Sequence, residues 1–168
     1  MNITKRTLCV GIAAATLATL AALPAGAASP NDPKTRLEGT WNITLTAGDF
    51  VYTARSSYAP GRNTNGTEGS VTTTSELDFA PDYPCATTQG AWVKTGPRSY
   101  ADTQYAYCFD GAPGSYHAQL KLVDEITLSD DGNSFTGRTK VEFRIDGELE
   151  FSDIEDLSGT RLGVESID

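Results

Sequence analysis

From Leu37 onward the chain alternates between apolar and polar side chains, and turn-forming residues interrupt the alternation at short intervals. Leu37, Gly39, Trp41, Ile43 and Leu45 alternate with Glu38, Thr40, Asn42, Thr44 and Thr46. A period of two puts one set on each face of a β-strand, so this stretch is a half-buried strand. Ala47-Gly48-Asp49 turns the chain into a second strand, 50–58, with Phe50, Tyr52 and Ala54 on one face. Further strands are expected over 70–79, 89–95, 99–109, 116–128 and 135–145. The one over 116–128 has room for a bend near Asp124. A last strand starts at Glu148 and is expected to bend or bulge before Gly159. The joints at 96–98, 110–114, 129–133 and 146–147 carry hairpin or tight-turn chemistry. Beyond the first 27 residues no segment keeps the 3.6-residue period of an amphipathic helix.

About eight strands joined by short turns pair antiparallel with their sequence neighbours. Such a meander leaves two sticky edges unless it closes on itself. The expected fold is therefore all-β, a single antiparallel up-and-down β-barrel of about eight strands. Its interior is wide enough for side chains or one small ligand. A two-sheet sandwich is the rival, but it needs long crossovers, and only 60–69 and 80–88 could supply them.

The first 27 residues read as an export signal. Lys5 and Arg6 precede an uncharged apolar run, Thr7 to Leu23; Pro24 breaks it, and Ala25-Gly26-Ala27 supplies the small-x-small pattern of a cleavage site. Cleavage is expected after Ala27, with Ala28 the next choice. The alternative is an uncleaved anchor, but the run is short for a membrane span. The expected organisation is a signal peptide over 1–27, a flexible segment over 28–36 and a barrel over 37–168. That predicts a secreted or periplasmic protein with no membrane insertion after cleavage.

The whole chain carries a net charge of −9. Without Lys5 and Arg6 it keeps 11 basic and 22 acidic residues, net −11. An acidic protein is repelled by nucleic acid and by anionic membrane surfaces, so neither is expected as a partner. Cys85 and Cys108 remain after cleavage, and an even pair in an exported chain reads as a disulfide. One histidine and two thiols make no zinc site, so no metal or cofactor is expected. Asp130-Asp131-Gly132-Asn133 lacks the spacing of a calcium loop and reads as a hairpin.

At Leu37-Glu38-Gly39-Thr40-Trp41 the sequence resembles the lipocalin/calycin superfamily, which carries Gly-x-Trp on its first barrel strand. The resemblance implies that Trp41 plugs a closed end and that a late arginine, here Arg161, packs across it. The Thr-Asp-Tyr triplet and the C-terminal helix of true lipocalins are missing. In size, strand pattern and aromatic content the chain also resembles allene oxide cyclase and dirigent-type barrels, including bacterial spirotetronate and polyether cyclases. That second resemblance implies a ligand-filled lumen.

Candidate ligand contacts are Trp41, Tyr52, Phe79, Trp92, Thr103, Tyr105, Tyr107, Tyr116 and Phe143, expected mostly on inward faces. Aromatics there either fill a core or line a lumen with hydroxyls as polar handles. Thr103, Tyr105 and Tyr107 share one face of the tyrosine-rich strand and are the leading contacts. Tyr100, Asp102 and Gln104 share the opposite face. Catalytic candidates are Tyr105, Tyr107 and His117, although His117 has the parity of Ser115, Gln119 and Lys121 and should face solvent. The acids Glu142, Asp146, Glu148, Glu150, Asp153, Glu155 and Asp156 read as a solvated outer face. The function expected first is binding of a small hydrophobic or amphipathic molecule. A cofactor-free cyclase or isomerase, working by shape and proximity, comes second, and a ligand-free structural barrel third. The sequence does not specify an oligomeric state.

Overall fold

The structure, a computed structural model, describes residues 32–62, 64–75, 85–109 and 116–163, the last range without the Tyr116 side chain. Eight strands form one closed barrel: β1 Gly39–Ala47, β2 Phe50–Pro60, β3 Glu68–Ser75, β4 Thr88–Lys94, β5 Ser99–Phe109, β6 Tyr116–Leu128, β7 Ser134–Ile145 and β8 Glu148–Arg161. Every neighbour in sequence pairs antiparallel, and β1 closes on β8 from Trp41↔Arg161 to Thr46↔Asp156. The expected up-and-down barrel is therefore present, and the open sandwich is not. Hairpin chemistry sets the joints. Between β7 and β8, Asp146 (φ 49°) and Gly147 (φ 87°) are both left-handed, the two-residue turn whose twist matches the strands.

The structure departs from the sequence reading in two places. The segment before the barrel is not loose over 32–36. Asp32 caps a 3₁₀ turn, Pro33–Thr35, by accepting from the Lys34 amide at 3.0 Å. Thr35 is buried, and its carbonyl accepts from Lys94 Nζ at 3.0 Å and from the Tyr100 hydroxyl. β6 runs through Asp124 without a break in register or parity, and Asp124 points inward with Leu122 and Ile126. β8 is one continuous strand to Arg161 and carries the expected bulge near its start: Phe143 pairs with Phe151 and Arg144 with Leu149, which leaves Glu150 as the extra residue.

Inward residues form two apolar clusters with a polar belt between them. One cluster, around Leu37, Trp41, Trp92, Tyr100, Ile126 and Phe135, fills the end where β1 begins and β8 finishes. The other joins Ala106, Cys108, Ala118, Leu120, Leu122 and Val141 near the opposite end. The expected disulfide, Cys85–Cys108, lies beside this second cluster.

Candidate functional site

The first end is closed by side chains whose polar atoms are matched. The Trp41 indole donates to the Leu37 carbonyl at 2.8 Å and meets Phe135 with ring centroids 5.0 Å apart. The Arg161 guanidinium stands 4.2 Å from the Trp41 ring centroid. It donates to the carbonyls of Arg36 (2.6 Å), Glu38 (2.6 Å) and Gly132 (3.0 Å). Gly39 makes this possible: its φ is +127°, and a Cβ there would lie 2.8 Å from Arg161 Nη1. The geometry implied by the lipocalin resemblance is thus present around Gly39, Trp41 and Arg161. Trp92 donates to the Ala59 carbonyl at 3.0 Å and meets Tyr100 nearly edge-on. Burial and the nearby Glu38 push the Tyr100 hydroxyl up to about 12.

Beyond this plug the interior is polar. Gln104, inward on β5, is the hub: its oxygen accepts from Thr73 and Thr88, both at 2.7 Å. Its amide donates to Asp102 at 3.1 Å and to Asp124 at 3.3 Å. Tyr58 donates to the second Asp102 oxygen at 3.1 Å. Asp102 and Asp124 face each other across β5 and β6. Burial, and then the charge of Asp124, hold Asp102 well above the usual carboxylate range. Burial raises Asp124 too, although the nearby Thr139 hydroxyl and Asp102 favour its charged form. Burial and the closeness of the two carboxyls both oppose their ionising together.

Two spaces that meet at Leu120 lie above the plug. A cavity of about 90 Å³ is walled by Ser56, Tyr58, Thr73, Gln104, Asp124 and Thr139, with aliphatic side chains between them. A wider funnel of about 540 Å³ opens at the end where β1 finishes and β8 starts, lined by Phe50, Tyr52, Leu120, Val141, Phe143 and Phe151. Leu120 borders both, and Thr139 of the cavity is the register partner of Glu155 of the funnel. The funnel has the size of ordinary small-molecule sites; the cavity holds only a few waters or one small polar group.

The candidate contacts divide accordingly. Tyr52 and Phe143 line the funnel. Trp41 and Trp92 belong to the closed end and border neither space. Phe79 and the side chain of Tyr116 lie outside the described residues. The leading trio is corrected. Thr103, Tyr105 and Tyr107 point away from the interior, with Tyr105 and Tyr107 44% and 55% exposed. β5 turns Tyr100, Asp102, Gln104, Ala106 and Cys108 inward instead. The physical reason is the polar belt: this barrel buries acids and amides halfway along β5, so side-chain polarity does not mark the outer face. Cys108, tied inward to Cys85, carries the signal that fixes this parity. His117 keeps the outward parity of β6 and is half-buried. Glu155 corrects the reading of the late acids as solvated, since it is buried. Glu142 has the expected outer parity but is covered by Lys121, Lys140 and Arg144. Asp102, Gln104 and Asp124 were not legible as site residues.

Comparison of the chain with protein-family models, with curated proteins and with solved structures finds no match for it.

Proposed function

We propose that this chain is an exported β-barrel that binds a small hydrophobic or amphipathic molecule in the funnel at its open end. One observation carries the reading: Tyr52, Leu120, Val141, Phe143 and Phe151 turn apolar surface into an open, ligand-sized space, and Leu120 also borders the polar cavity. Phe50 and Phe151 remain strongly exposed, and large apolar groups gathered around one concavity mark binding surfaces. The N-terminal export pattern and the acidic charge support a place outside the cell. Both tryptophans sit at the far end, so the readout is the fluorescence of a neutral probe, N-phenyl-1-naphthylamine. It should bind saturably at one per chain. Phe151→Asp should weaken it tenfold or more, because burying one phenylalanine is worth about 1.5–3 kcal/mol. Non-saturable binding, or binding indifferent to both Phe151→Asp and Phe143→Asp, defeats the reading.

A second reading, a cofactor-free cyclase or isomerase, draws on the buried Asp102–Asp124 pair. Carboxyls with raised pKa next to a cavity suit general acid–base work. It predicts consumption of a polyene or epoxide substrate, slowed by Asp102→Asn or Asp124→Asn. Tyr105→Phe and Tyr107→Phe, on the outer face, should leave the rate alone.

A further inference from the structure

On the strands around the cavity and the funnel, three buried oxygens lack a well-formed hydrogen bond: Asp124 Oδ1, Thr139 Oγ1 and Glu155 Oε2, the Thr139 hydroxyl standing near enough to Asp124 only to favour its charge. Their residues are 5%, 0% and 7% exposed. They stand in one line across the sheet, Asp124 opposite Thr139 and Thr139 opposite Glu155. Neighbouring strands lie roughly 4.8 Å apart, so a single small group can touch adjacent members. Folded proteins seldom leave such atoms unmatched without a water, an ion or a function. Asp102, opposite Asp124, adds a further carboxyl to the row. Among the described residues, the ion pairs involve Glu38, Asp130 and Glu142, and none reaches Asp102, Asp124 or Glu155. A buried negative charge with no cation beside it is costly.

We infer that this row receives the ammonium head of a hydrophobic amine, whose apolar tail lies in the funnel. The inference rests on the reading of the funnel as a ligand site and names the ligand's chemistry. A primary ammonium carries several donors and one positive charge, so it can reach adjacent oxygens of the row and also compensate a buried acid. An alcohol head offers one donor and no charge. A carboxylate head meets like charge. The cavity admits a head of few atoms, while the funnel fits the tail. Asp153 at the funnel and the acidic surface raise the local concentration of cations.

The test uses the purified chain at pH 7.5 with octylamine, 1-octanol and octanoate, each followed by calorimetry and by displacement of N-phenyl-1-naphthylamine. Octylamine should bind at least tenfold tighter than the other two. Thr139→Val, in the cavity and not in the funnel wall, should cut that preference threefold or more while probe affinity stays within twofold, and Glu155→Gln, at the funnel wall, should cut the preference by the same factor whatever it does to the probe. Thr139→Val keeps the side-chain shape and serves if Glu155→Gln fails to fold. Octylamine and octanol bound equally, with the probe still saturable, overturns the head-group assignment alone. So does an amine preference unchanged in folded variants. Failure of the probe and all three ligands removes the funnel reading as well.

Discussion

The two ends of this barrel are built on opposite rules. At the closed end, large side chains are fully buried and their polar atoms are matched: Trp41 to Leu37, Trp92 to Ala59, and Arg161 to three carbonyls. At the open end, aromatic side chains stay in contact with solvent, and the floor below them keeps three unmatched buried oxygens. The first arrangement lowers the free energy of the fold. The second leaves free energy to be gained only when something binds. On the proposed reading, stability is concentrated where the chain begins and ends its circuit, and recognition at the other end.

The largest test of that division is Trp41→Ala. Removing a buried tryptophan typically costs about 3–5 kcal/mol, and here it also strips the surface under Arg161. Urea unfolding should show a loss in that range. A loss below about 1 kcal/mol would mean that the closed end does not anchor the fold. The disulfide comes next. Its cysteines are 23 residues apart, and the chain-entropy estimate gives about 3 kcal/mol for a loop of this size. Cys85→Ala with Cys108→Ala should lower stability by that order, with the barrel spectrum retained. Gly39→Ala follows. It places a side chain at φ +127° and against the Arg161 guanidinium. Strained backbone of this kind costs of order 1–3 kcal/mol, and the melting temperature should fall to match. Full stability in Gly39→Ala would show that the arginine seat is dispensable.

The polar belt gives a subtler, pH-dependent effect. Burial raises the pKa of Asp102 and Asp124, and also of Glu155, where Asp153 adds to it. A raised carboxyl binds its proton more tightly in the folded state than in the unfolded chain. The stability it contributes is full below the ordinary value of about 4 and is lost as pH rises through the folded value. The barrel should therefore become less stable from pH 5 to pH 8. Glu142 works the other way, because Lys140 lowers it, but its window lies below pH 5. Asp124→Asn should flatten the decline, read as urea midpoints at pH 5, 6.5 and 8. An unchanged slope would argue that the acids in the belt are solvated.

The strand count, the closure and the disulfide were legible because each rests on a local signal: alternation, turn residues, and a cysteine pair behind an N-terminus that reads as an export signal. Gly39, Trp41 and Arg161 were legible through a short motif with a geometric reason behind it. The floor of the site was not. Alternation reveals a strand's inner face only when that face is apolar. Along β5 both faces carry polar residues, since Asp102 and Gln104 oppose Thr103 and Tyr105. A one-residue choice of parity then flips every side chain. Glu155 was hidden for the same reason, being one acid among several on β8 and turned inward only by its place opposite Thr139.

The smallest stability effect sharpens the comparison most. Phe151 is about half exposed and lines the funnel, opposite Phe143. Phe151→Ala removes little buried surface, so unfolding should change by no more than about 0.5 kcal/mol, as for ordinary surface substitutions. Yet the same residue supplies wall area to any ligand in the funnel, and probe affinity should fall severalfold. Trp41→Ala should do the reverse, lowering stability while the folded fraction binds the probe normally. If both variants lose stability and binding in proportion, the two ends form one cooperative unit and the division of labour fails. If Phe151→Ala loses binding alone, then the apolar surface at the open end contributes to recognition and not to folding. That would give a physical reason to keep it exposed.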